Sequence, residues 1–276
     1  MAAIPEQLNA TPEPIRSPVG RSLAPPSEPV RARVSLVIPT KNEARNLAWV
    51  LGQVPECVDE IVLVDGDSVD ATRAMALVCR PDVRVIGQAA AGKGSALRSG
   101  FSACTGDIVV MIDADGSMSP AEISHFLHFL GNGFDFVKGS RFIAGGGSLD
   151  ITRFRRWGNR GLLHLVNVLY GTQLTDLCYG FCAFHRRWLD HLDLSAAGFE
   201  IEAQMTVHAV QAGLRIAEVP SLELPRRSGR SNLHAVSDGY AVLRTVVRDH
   251  RDGMSGRLVQ SVRRRRAVRA SAHAVN

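Results

Sequence analysis

Short apolar runs rich in β-branched residues recur along the first half of the chain. Most end in Pro, Gly or Asp, and amphipathic stretches of helical period lie between them. Val34-Ser-Leu-Val-Ile38 is stopped by Pro39. The pattern then predicts a helix over Ala44–Leu51, a strand over Glu60–Val64, a helix over Ala71–Val78, a strand over Val83–Ile86, a helix over Ser95–Cys104 and a strand over Ile108–Ile112. Pro120 suits the first turn of a helix running to Leu130, and Phe134–Lys138 reads as a further short strand. Strands this short and this uniformly apolar must be covered on both faces. That requires βαβ units: an α/β single domain with a mostly parallel sheet and helices on both faces. Ligands of such sheets sit beyond the carboxyl ends of the strands. Pro39 to Glu43, Asp65 to Ser68, Gly92 to Gly94, Asp113 to Ser117 and Gly139 to Arg141 all fall there and would line one crevice.

The second half follows a different rhythm. A flexible tract at Gly145–Gly147 precedes a long helix near Arg153–Tyr170. Another helix is expected over Phe199–Ala212, a strand over Arg215–Val219, a polar loop over Pro225–Asn232 and a final helix near Leu233–His250. Residues 1–32 hold seven of the thirteen prolines and read as a disordered leader, leaving 33–245 as the domain and 246–276 as helix end and tail. The net charge is +5, but residues 244–276 carry nine Arg and two Asp, so the body before them is slightly acidic. The basicity belongs to the tail, concentrated in Arg263 to Arg266, where anionic lipid headgroups are one partner and a solvated terminus the alternative. The body lacks a basic face, so no nucleic-acid partner is expected. No stretch approaches the roughly 18 apolar residues of a membrane span, and the N-terminus lacks the regions of a signal peptide. The five cysteines form no CxxC pair and read as reduced thiols. A cytoplasmic protein is expected, peripheral on the inner membrane face if the tail docks there.

The chemistry concentrates in a few segments. Asp113-Ala114-Asp115 leaves an apolar strand, where two hard carboxylates can straddle one Mg²⁺ or Mn²⁺ whose shell is completed by phosphate oxygens. Helix capping by Asp115 or Ser119 is the alternative. In Asp65-Gly-Asp-Ser-Val-Asp70, Asp65 can accept hydrogen bonds from a nucleobase, or the segment can serve only to cap the next helix. Ala91-Gly-Lys-Gly-Ser95 is no phosphate loop of the Walker type, because Gln88 stands where the required glycine would be. Lys93 can still reach a phosphate or a base edge.

In the order Val-Ile-Pro-Thr-Lys-Asn-Glu (37–43), Val-Asp-Gly-Asp-Ser (64–68), Gly-Lys-Gly (92–94) and Thr-Gly-Asp…Asp-Ala-Asp (105–115), the chain resembles family 2 glycosyltransferases. Lys-Gly-Ser-Arg-Phe (138–142), Gly-Phe-Glu-Ile-Glu (198–202), Ala-Glu-Val-Pro (217–220) and Gly-Arg-Ser-Asn-Leu (229–233) are similar to the dolichol- or polyprenyl-phosphate mannosyltransferase branch. The resemblance spans about residues 33–245. It implies a GT-A fold, Rossmann-like, a nucleotide-sugar donor and inverting transfer. By position, Pro39, Lys41, Glu43 and Asp65 would face the nucleoside, with Asp67 and Lys93 joining the donor set. Asp113, Ala114 and Asp115 would hold metal and diphosphate, with Ser117 near the metal. Arg141, Arg155 and Arg226 would surround the phosphates and the sugar, a task suited to planar guanidinium groups. The chain departs from the pattern at Lys41, where an aromatic residue is usual, at Asp-Gly-Asp-Ser for Asp-Asp-Gly-Ser, and at Asn232 for Lys.

Asp115, Arg141 and Glu202 are expected to carry the transfer. A hydroxyl acceptor needs a carboxylate base, and Glu202 is the candidate. A lipid phosphate is already an anion and needs cations to hold it near the diphosphate; the arginines of 153–156 and the Arg226–Arg230 loop fit that need. The expected acceptor is polyprenyl phosphate, the alternative a hydroxyl on a glycan or metabolite. Nucleotidyl transfer and non-catalytic nucleotide-sugar binding are weaker readings, because no Lys- or Arg-bearing glycine loop follows the first strand and Asp113, Asp115 and Arg141 are intact.

Overall fold

A computed structural model of the chain describes residues 31–253. The expected alternation is present. Strand β1 (Val34–Thr40), helix α1 (Ala44–Gly52), β2 (Glu60–Asp65), α2 (Thr72–Cys79), β3 (Arg84–Gly87), α3 (Lys93–Ala103) and β4 (Ile108–Met111) follow one another. A short 3-10 turn over Pro120–Glu122 leads into α4 (Ile123–Gly131), then β5 (Phe136–Ser140). Beyond them come β6 (Gly147–Ser148), α5 (Arg153–Tyr170), β7 (Cys182–His185), α6 (Leu189–Leu192), α7 (Ile201–Gln211), β8 (Ile216–Pro220), β9 (Leu222–Glu223) and a last helix, α8, over residues 235–253. The leader over residues 1–30 and the Arg-rich stretch at 263–266 lie outside the described residues.

Seven strands form one sheet in the order β3-β2-β1-β4-β7-β5-β8. All pairings are parallel except those of β7, which runs antiparallel between β4 and β5. That strand was not expected from the sequence. Its four residues follow Gly180 without alternation, and their partners lie far away in the chain.

The sheet is covered on both faces, as its apolar strands require. Alternate residues of β1 show the division: Leu36 and Ile38 pack with Leu47 and Leu51 of α1, Ala76 of α2 and Phe126 of α4. Val37 packs on the opposite face with Leu97 and Phe101 of α3 and Met205 of α7. A third cluster joins Val166 of α5, Val207 of α7 and Val242 and Val246 of α8. Helix α5 starts where the Thr152 side chain accepts from the Arg155 N–H and ends at Gly171, whose φ of 67° closes the helix in the left-handed region. The tract at Gly145–Gly147 leads directly into a small parallel ladder, in which β6 pairs with β9. This holds the segment after β8 close to the carboxyl ends of the main sheet.

Candidate active site

The carboxyl ends of β1 and β4 open into a cavity of about 550 Å³. Pro39, Lys41, Glu43, Lys93, Asp113, Ala114, Asp115, Ser117, Arg141, Arg155, Glu202 and Arg226 all line it. Two expected donor residues are placed otherwise. Asp67 is exposed, with φ of 58°, and accepts only a long 3.4 Å bond from Gln88. Asp65 is buried behind the lining: its Oδ1 has no hydrogen-bond partner and Arg73 lies 3.8 Å from its Oδ2. Its neighbours Gly66 and Gln88 do reach the cavity. No side chain caps α2, so neither Asp67 nor Ser68 takes the capping role; Asp70, expected at the positive end of that helix, accepts from the Thr72 N–H at its start and from the Ala44 N–H of α1. With Ser68, which accepts from the Asn42 N–H, it ties the β1–α1 and β2–α2 loops together.

At the centre stands Lys93. Its Nζ is 2.5 Å from Asp113 and 2.7 Å from Glu202, and lies 5.3 Å from the centre of the Phe199 ring. The flanking glycines explain how it gets there. A Cβ on Gly92 or on Gly94 would come within 2.2 Å of a backbone oxygen, of Ala197 and Ala196 respectively, and Gly92 has φ of 111°. Only glycine lets the start of α3 dock on this backbone, where the Gly94 N–H donates to Ala197 O at 2.8 Å. Helix α3 therefore begins two residues earlier than the periodicity indicates, with Lys93 in its first turn. A cation there opposes the helix dipole. Burial also works against the ammonium, yet Asp113 and Glu202 together hold Lys93 well above the ordinary lysine range.

A second cation closes the other side. Arg226 donates to Glu43 at 2.7 Å and lies 3.3 Å from Asp115. Asp115 also accepts from the Ser117 N–H at 2.9 Å, which fixes the carboxylate that follows β4. The cluster therefore contains four carboxylates, of Glu43, Asp113, Asp115 and Glu202, against two cations. The crowding is visible in Asp113, whose carboxyl is pushed upward by burial and by Glu202 and Asp115, with Lys93 opposing. Glu43 is raised in the same way, first by burial, with Arg226 pulling it back.

Arg141 reaches the cavity but is committed elsewhere. Its side chain is 3% exposed, grips Asp176 through two bonds of 2.7 and 3.0 Å, and donates to Glu223 at 3.0 Å and to Cys178 O at 2.9 Å. This fork ties β5 to the segment before β7 and to β9. The sequence reading missed Asp176 and Glu223, and Tyr179, whose ring lies 4.9 Å from the guanidinium. Arg155 stands at the cavity edge, 3.6 Å from Asp150. Arg153 and Arg156, expected beside the phosphates, are exposed and do not line the cavity. Arg227 turns away to lie 4.8 Å over the Trp49 ring. Among the described residues no group of three or more His, Cys, Asp or Glu is placed to hold a metal ion; Asp113 and Asp115, two of the expected ligands, are engaged instead by Lys93 and Arg226.

A profile described as Glycosyl transferase family 2 matches residues 35–193. The chain is 32% identical over 223 residues to the polyprenol monophosphomannose synthase of Mycolicibacterium smegmatis, covering 73% of this chain and 81% of that protein. It is 30% identical over 223 residues to Glycosyltransferase AglJ of Haloferax volcanii, covering 80% and 73%. Among solved structures, it is similar to glucosyl-3-phosphoglycerate synthase from Mycobacterium tuberculosis in complex with Mn²⁺, UDP-glucose and phosphoglyceric acid. The TM-score is 0.63 at 26% identity, over 79% of this chain and 80% of that one.

Proposed function

This chain belongs to glycosyl transferase family 2 and is a glycosyltransferase, and on that footing we propose that it moves a hexose, with inversion, from a nucleotide-diphosphate sugar of the GDP-mannose or UDP-glucose type to a polyprenyl phosphate. The observation that carries the reading is the cluster at the end of β4. Around Lys93 and Arg226 four carboxylates meet two cations, a local excess of acid within a lining that as a whole sets six carboxylates against five cations. That imbalance, with two hard oxygen ligands at Asp113 and Asp115, fits one divalent cation, Mg²⁺ or Mn²⁺. A structural relative crystallised with Mn²⁺ and UDP-glucose is consistent with it. Such an ion would neutralise charge on the departing diphosphate.

The chain's own groups supply the rest. Lys93 and Arg226 stand against the two aspartates, positioned to exchange carboxylate contacts for phosphate oxygens when a donor enters. Glu43, relieved of Arg226, is then free to accept from the nucleoside. The unpartnered Oδ1 of Asp65 would be satisfied by a base N–H donor admitted past Gly66. Arg141 acts by holding the wall of the cavity in place, through Asp176 and Glu223.

Glu202 bears on the acceptor. Its carboxylate is engaged by Lys93 at 2.7 Å, an arrangement poorly suited to taking a proton from a hydroxyl. A phosphate acceptor needs no base, and Arg155 at the rim offers it a cation. The curated relative named as a polyprenol monophosphomannose synthase supports the same acceptor class. Docking of the Arg-rich tail on an anionic membrane belongs to this proposal too; among the described residues no helix is long and apolar enough to cross a membrane.

The test is incubation of the protein with Mg²⁺ or Mn²⁺, polyprenyl phosphate and a panel of UDP- and GDP-sugars, scoring label in the organic phase. Label that disappears in Asp115→Ala is expected. Donor binding without organic-phase product would overturn the lipid acceptor.

A further inference from the structure

Helix α5 is anchored on one side only. Asn159 and Val166 are buried, and Leu162, Leu163 and Tyr170 pack on the cluster shared with α7 and α8. The outward side is unusual for a protein in water. Phe154 is 65% exposed, Trp157 73% and Val168 65%. At 3.6 residues per turn these three project together, with Gly161 between them leaving the aromatic rings uncovered. Arg153, Arg156 and Arg160 are also exposed and form a row along the edge of this apolar strip. The helix contains no acidic residue.

We propose that this face of α5 is a docking surface for a lipid bilayer carrying anionic headgroups. Exposed aromatic residues beside a row of guanidinium groups match the boundary between acyl chains and headgroups, where rings insert and arginines meet phosphate. Other occupants fit less well. A second copy packed face to face with its helix antiparallel would bring the Arg row against itself. The chain's own Arg263 to Arg266 run has the wrong sign to cover it.

The position of the face also gives it a purpose. Arg155 is on the same turn as Phe154 and Arg156 but faces inward and lines the cavity, and the exposed Leu149 lies just before the helix. A bilayer seated on α5 therefore brings its headgroups to the cavity mouth. Docking itself stands on the exposed face; only the delivery of an acceptor from that bilayer rests on the proposed function.

The full chain is mixed with vesicles of phosphatidylcholine, alone or with an equal part of phosphatidylglycerol, and a second set carries brominated acyl chains. Sedimentation with the anionic vesicles is expected, with quenching of tryptophan fluorescence by bromine that is mostly lost in Trp157→Phe. That optical readout separates α5 from any binding by the tail. The double variant Phe154→Ser/Trp157→Ser, changed only at exposed positions, should lower the bound fraction roughly tenfold while UDP or GDP binding stays at the wild-type level. Each of Arg153→Gln, Arg156→Gln and Arg160→Gln should weaken anionic binding about fivefold. Absence of sedimentation, quenching unchanged in Trp157→Phe, or a double variant that dissociates a dimer without changing vesicle binding would each overturn the proposal. Docking without lipid product removes the acceptor reading alone, and lipid product without α5-dependent docking removes this one alone.

Discussion

Replacing Arg141 by Met separates a structural from a purely chemical role for this residue. The guanidinium makes four hydrogen bonds, two to Asp176, one to Glu223 and one to Cys178 O, and burial leaves its side chain 3% exposed. Methionine keeps much of the volume but strands two carboxylates, with side-chain exposures of 0% and 8%, without their cation. Breaking a buried ion pair from one side costs roughly 3–5 kcal/mol. For a body of this size about 1 kcal/mol moves Tm by roughly 2–4 °C, so Arg141→Met should melt roughly 6–20 °C below wild type. Arg141→Lys should fall between them, since an ammonium cannot span both carboxylates with the geometry of the fork. Thermal melts and urea midpoints measure this directly. Nucleotide affinity, taken well below both melting points, reports whether the cavity wall has moved. An Arg141→Met protein melting within about 2 °C of wild type yet inactive would refute the reasoning and return Arg141 to direct contact with substrate.

Glu202→Gln tests the acceptor. Loss of a general base lowers turnover roughly 10²- to 10⁴-fold, whereas transfer to a lipid phosphate should lose less than about tenfold, as seen in steady-state rates with saturating donor. Gly94→Ala drives a Cβ to 2.2 Å from Ala196 O, a backbone atom. A cost of about 1–3 kcal/mol, read from the urea midpoint, should accompany weaker nucleotide binding as Lys93 shifts. At the joint between α7 and α8, Asp249 binds His208 at 2.9 Å and also meets Gln204 and Arg248. Although burial opposes it, these partners pull Asp249 down to about 2, and His208 is raised by Asp249 and Leu192 O against its own burial. The carboxylate's contribution is lost as pH falls below about 4, and the imidazolium's as pH rises above about 6.5. The joint should be tightest between those values. Asp249→Asn should cost about 2 kcal/mol near pH 5.5 and flatten the dependence of Tm on pH above it.

What could be read from the sequence divides by the range of the interactions involved. Strands β1, β2 and β4 announce themselves because each is a local apolar run whose burial is decided by its own composition, and the helices between them carry their period in a dozen residues. The same locality made Asp113 and Asp115 visible: a polar pair leaving an apolar strand is anomalous without reference to anything else. Strand β7 has no such signature. Cys182-Ala-Phe-His185 becomes a strand because β4 and β5 leave a gap of one strand between them, which no local window contains. Arg141 was singled out as chemistry because its partners, 35 and 82 residues away, were invisible. Asp67 was placed in the donor set by its position in the motif, but it sits exposed with a positive φ while Asp65 is buried. The Gly-Lys-Gly segment shows how the two ranges combine. Its composition excludes a Walker loop, which is a local fact. Why both glycines are needed emerges only when the backbone of 196–197 packs against them and aims Lys93 between Asp113 and Glu202. The charged residues that follow the strand ends were therefore legible, and the distant partners that set their direction were not. Substitutions at Gly94, Asp176 and Glu223 should disturb transfer even though none of the three was a candidate for the chemistry.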